Sequence, residues 1–118
     1  MRGRQKAPPR ARCRFDTADG TLGFARTVGA ANLGVTLDLG HALAAGERSP
    51  QSAALLARAR KPFYVHLNDN GGAFDWDLPP GVLRFWDAPE FLYALPGLGY
   101  AGDWFSFDIV PKEFDPLL

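Results

Sequence analysis

Three short apolar runs, Leu33 to Leu39, Phe63 to Leu67 and Trp104 to Ile109, constrain the fold of this chain more than any other feature. Each is too short for a stable helix and is bounded by glycine, proline or a polar turn, so each reads as a strand. Helix signals fall between them. Ser49-Pro50 offers a capping hydroxyl and a proline whose missing N–H costs nothing at a helix start, Ala53 to Arg60 carry that helix on, and Pro62 stops it. Asp87-Ala88-Pro89-Glu90 opens another through Phe91, Leu92 and Leu95, closed by Pro96-Gly97. A further helix, Phe15 to Gly29, precedes the first strand, with Asp16 or Thr17 as its N-cap and a buried stripe of Leu22, Phe24, Ala25 and Val28. The order strand, helix, strand, helix, strand predicts an α/β fold with right-handed crossovers, its parallel strands covered on both faces.

At 118 residues the chain is one domain at most, and 47% hydrophobic with 13% aromatic residues it has the composition of a globular core. The net charge is zero, yet the signs are segregated. Residues 1–14 carry Arg2, Arg4, Lys6, Arg10, Arg12 and Arg14 with no acid, and read as a poorly ordered basic segment before a domain spanning residues 15–118. Such an end is more often solvated than bound to phosphates, so nucleic acid is not expected as a partner. From Pro62 onward nine acids face only Arg84 and Lys112, a balance that attracts cations. The single cysteine, Cys13, excludes an internal disulfide and a multi-cysteine zinc site. No apolar run approaches the ~20 residues of a membrane span, and the basic N-terminus lacks the apolar core of a secretory signal, so a cytoplasmic location without membrane contact is expected.

Each apolar run ends in a residue competent to bind a metal: Asp38 in the first, His66 within Tyr64-Val65-His66-Leu67, and Asp108 in the third. In parallel α/β sheets ligands bind beyond the carboxyl ends of the strands, where these three residues fall. Oxygen donors with one imidazole suit Mn2+, Mg2+, Co2+ or Zn2+. His41, three residues beyond Asp38, is close enough to share the cavity. Asp75 and Asp77, either side of Trp76 in a long loop, could hold a second cation or act as catalytic carboxylates on a metal-bound water. Taken singly each residue has a plainer role: Asp38 as a cap of the segment after its strand, His66 as a hydrogen-bonded core histidine, Asp75 and Asp77 as solvated loop acids, Asp108 as a cap of the turn before Pro111. Their coincidence at corresponding strand ends favours the metal.

Val35-Thr36-Leu37-Asp38-Leu39-Gly40-His41, Val65-His66-Leu67-Asn68-Asp69-Asn70, Asp75-Trp76-Asp77-Leu78 and Gly99-Tyr100 through Phe107-Asp108 together resemble the xylose isomerase-like (β/α)8 TIM barrel superfamily. Its sugar isomerases and sugar phosphate isomerase/epimerases, the rhamnose and xylose isomerase types among them, are the nearest in pattern. The resemblance implies that Asp38, His66 and Asp108 are three of four ligands to one divalent metal, Mn2+ first among the candidates, and that His41 contacts substrate or a second metal. It also implies that Asp75 and Asp77 belong to that second site, where paired metals polarise the two sugar oxygens between which hydrogen moves. The family's Glu-x-Lys-Pro segment finds its counterpart in Arg4-Gln5-Lys6-Ala7-Pro8, which makes Lys6 a substrate contact and puts arginine where the first ligand, glutamate, is expected. A full barrel takes ~250 residues. The chain is therefore expected to be the C-terminal half of one, with three to four βα units, and to show little activity alone. A non-catalytic half-barrel that self-associates through its open strand edges is the alternative.

Overall fold

The computed structural model describes residues 16–61, 63–100, 102 and 104–109. The basic segment 1–14, with Lys6, lies outside the described residues, as do Phe15 and Pro62. Seven elements follow in order: α1 (Ala18–Val28), β1 (Val35–Asp38), α2 (Leu39–Ala44), α3 (Ser49–Arg58), β2 (Phe63–Leu67), α4 (Asp87–Gly97) and β3 (Phe105–Phe107). The strands form one parallel sheet in the order β1-β2-β3. Mixed α/β architecture with parallel strands is thus as expected.

Local chemistry sets the helix ends. Thr17 caps α1, its hydroxyl accepting from the Gly20 N–H at 3.1 Å, and Gly29 ends the helix in the left-handed region at φ 72°, where the lack of a Cβ removes the steric penalty. The carboxylate of Glu47 accepts from the Ala18 N–H and from the Ser52 hydroxyl, tying the start of α1 to α3. The buried stripe of α1 is Ala18, Leu22 and Ala25, not the expected set, since Phe24 and Val28 are exposed. At 3.6 residues per turn those two lie roughly 90–130° round the helix from the stripe. A second correction concerns α3, whose N-cap is Arg48 without a side-chain cap bond. Ser49 is already helical, and its buried hydroxyl has no hydrogen-bond partner among the described residues. Helix α2, unexpected from sequence, follows β1 directly because Asp38 caps it.

Alternation along the strands divides the sheet into two unlike faces. Val35, Leu37, Val65 and Leu67 point to a core completed by Leu22 of α1, Leu56 of α3, and Phe91 and Leu95 of α4. Burying each large side chain contributes roughly 1.5–3 kcal/mol. On the other face Thr36 and Tyr64 are exposed and His66 and Ser106 half-buried. That corrects the expectation of strands covered on both sides: among the described residues helices cover one face and the other is open. The covered face also runs out at β3, where Phe105 and Phe107 remain 49% and 61% exposed.

The long connection from β2 to α4 is ordered by Asp69. Its backbone exchanges two hydrogen bonds with Leu78, at 2.8 and 3.1 Å, and its buried carboxylate accepts from the N–H groups of Leu83 (2.7 Å) and Arg84 (2.9 Å). Hydrogen bonds to a charged acceptor contribute about 1.5–3 kcal/mol each. Asp69→Ala is therefore expected to cost about 3 kcal/mol in urea denaturation, and Asp69→Asn, which keeps an acceptor, distinctly less. Among the described residues no helix is long and apolar enough to cross a membrane.

Candidate metal centre

Parallel pairing sets Asp38 beside His66, and His66 beside Ser106. The ladder continues one step past β3, where the Asp108 N–H donates to Leu67 O at 3.1 Å. A period of two then puts Asp38, His66 and Asp108 on the open face at the carboxyl end of the sheet. His66 Nδ1 stands 3.6 Å from Asp38 Oδ2 and 3.6 Å from Asp108 Oδ2, and one donor atom from each residue lies within 4.8 Å of the others. Those separations are too long for hydrogen bonds. They are somewhat wider than the roughly 3–3.5 Å between ligands about 2.1 Å from one cation, so an ion held here would draw the three donors inward. Two carboxylates and one imidazole fit Mn2+, Mg2+, Co2+ or Zn2+.

The two oxygens of Asp38 have separate partners. Oδ1 accepts from the His41 N–H at 2.9 Å and so caps α2, while Oδ2 faces His66 and, at 3.5 Å, the side-chain amide of Asn68. The cap and the ligand are thus compatible roles of one carboxylate. Asp38 is buried, whereas His66 and Asp108 are partly open to solvent, so a cation held here would have an exposed side.

His41 and Asp75 meet beside this centre, with Nε2 and Oδ2 2.9 Å apart. Burial raises the Asp75 carboxyl above its ordinary range; His41 opposes the shift, and the charges of Asp77 and Asp38 add to it. Asp77 adopts a left-handed backbone at φ 49°, and it does not join His41 and Asp75 in a three-donor group as tight as the first. A carboxyl whose folded pKa exceeds its unfolded one contributes stability in full below the unfolded value and loses it as pH rises through the folded value. Asp75→Asn should therefore gain stability relative to the unsubstituted chain between about pH 4 and pH 7. The gain is modest because Asp75 is more than a third exposed, and urea midpoints at the two pH values read it.

No known family model and no curated protein matches the chain.

Sequence reasoning missed the polar support beneath the centre. Asn68 and Asn70 are fully buried and both reach Gly40: Asn68 Oδ1 accepts from the Gly40 N–H at 2.6 Å, and Asn70 Nδ2 donates to the Gly40 carbonyl at 2.8 Å. The available signal was the triplet Asn68-Asp69-Asn70 directly after an apolar strand, since polar side chains carried into a core need partners there.

Proposed function

We propose that this chain is part of a divalent-metal-dependent sugar isomerase or epimerase of the xylose isomerase-like barrel type, with Asp38, His66 and Asp108 as three ligands of its metal. The observation that carries this reading is the convergence of the three donors from successive parallel strands at one sheet end. Bound there, a divalent cation supplies Lewis-acid polarisation of a sugar oxygen. Asp38 and Asp108 balance its charge and His66 completes the donor set from the middle strand. His41 and Asp75, joined by a hydrogen bond, are placed to hold and pass a proton at the rim, or to take part in a second cation site with Asp77. The substrate class is a sugar or sugar phosphate.

Calorimetric titration with Mn2+ tests the metal, and an aldose–ketose assay tests the chemistry. The expected result is saturable Mn2+ binding with no appreciable turnover by the isolated chain, because the three strands among the described residues line only part of a barrel mouth. Absence of Mn2+ binding would remove the reading, and robust turnover would overturn the expectation of inactivity.

The exposed Phe105 and Phe107, with Trp104 beside them, favour one second reading: a non-catalytic half-barrel that associates with copies of itself through β3. Sedimentation at micromolar concentration should then show dimers or larger species. A clean monomer would count against it.

A further inference from the structure

We propose that Asn68 is a positioning residue of the metal centre, aiming Oδ2 of Asp38 at the cation through a side-chain amide whose orientation is dictated by Gly40. The inference rests on the metal-centre reading and adds to it a residue that is not itself a ligand. The Gly40 N–H is a donor, and it meets the Asn68 side chain at 2.6 Å, so the atom it meets must be the carbonyl oxygen. The NH2 group of Asn68 is thereby turned toward Asp38 Oδ2, 3.5 Å away. A flipped amide would bring two donors together at Gly40 and two oxygens together at Asp38.

Asp38 is restrained from both sides as a result. The His41 N–H holds Oδ1, and the Asn68 amide lies 3.5 Å from Oδ2, the oxygen that also faces His66. A leucine at position 68 would fill similar space but provide neither contact. Asn70 makes the natural comparison, since it is equally buried and bonds the carbonyl of the same Gly40, but its side chain bonds Gly40 and Gly72 and not Asp38.

The two asparagines separate positioning from support. Partners that orient metal ligands typically change affinity by about 10–100-fold when removed. Asn68→Ala is expected to weaken Mn2+ binding, measured calorimetrically, by about that factor. Asn70→Ala should lower the melting temperature yet leave Mn2+ affinity within about twofold, well below the range for an orienting partner. A purely structural role would give equal affinity losses in both variants, and unchanged affinity in Asn68→Ala would equally overturn the proposal. Should Asn68→Ala fail to fold, the unsubstituted chain still decides the matter by NMR with Zn2+ as a diamagnetic probe. The side-chain amide resonances of Asn68 should then shift along the Zn2+ binding curve, with those of Asn70 moving less. An Asn68 amide that stays fixed at saturation would reject the proposal. Failure of the unsubstituted chain to bind either metal would instead reject the metal centre itself.

Discussion

Gly40→Ala is expected to destabilise the protein by roughly 3–5 kcal/mol, enough to abolish cooperative melting if the parent is only marginally stable. An added Cβ would stand 2.3 Å from Asn68 Oδ1, 2.8 Å from its Cγ and 2.9 Å from Asn70 Nδ2. None of these atoms is the free end of a flexible chain, because both asparagines are fully buried and hydrogen-bonded to Gly40 itself. Relief requires breaking at least one buried bond, which leaves an unsatisfied polar group in addition to the overpacking. Gly23→Ala is the internal comparison. Among the described residues nothing lies within 4 Å of a Cβ there, and the higher helix propensity of alanine should make that change neutral or stabilising by up to about 1 kcal/mol. Parallel thermal melts of the two variants check the contrast, and similar midpoints would refute the account of Gly40.

Asp38→Asn should reduce Mn2+ affinity by about 100-fold or more while the fold persists. The amide oxygen can still accept from the His41 N–H and cap α2, but a unit of negative charge is gone from a cation site. A charge pair at about 4 Å and an effective dielectric near 20 is worth roughly 4 kcal/mol, ample for such a loss. The substituted amide would also set its NH2 against that of Asn68, adding about 1 kcal/mol of destabilisation. Ligand-linked stability gives an independent readout. Mn2+ at about 100 times its dissociation constant should stabilise the parent by about 2.7 kcal/mol, and the same concentration should scarcely move the melting point of Asp38→Asn. Equal Mn2+-induced shifts in both proteins would contradict the assignment of Asp38 as a ligand.

The strands were legible because each is a short apolar run with clear punctuation, and α1, α3 and α4 because glycine, proline and capping residues mark their limits. Helix α2 was not. Six residues are too few for a 3.6-residue period to declare itself, so a capping role for Asp38 could be read without the helix that it caps. Arg48 displaced Ser49 at the start of α3 for a related reason: cap position depends on where the preceding backbone turns, and a sequence fragment does not record that. Phe24 and Val28 were misplaced because hydrophobicity alone does not say which side of a helix meets the sheet. Of the candidate site residues, Asp38, His66 and Asp108 converge, and His41 meets Asp75.

What the sequence by itself determined was the supply of donors. Three extended runs each carry a metal-competent side chain at the same end, and an acid-rich second half favours a cation. Only the tertiary structure decided that these donors meet. A parallel sheet slipped by one residue at either pairing would turn Asp38 or Asp108 to the opposite face, and the register that prevents this comes from helices packing on the far side of the sheet. The buried contacts of Asn68 and Asn70 with Gly40 were equally beyond the sequence, because they join residues about thirty positions apart whose partnership exists only once β1 and β2 lie side by side.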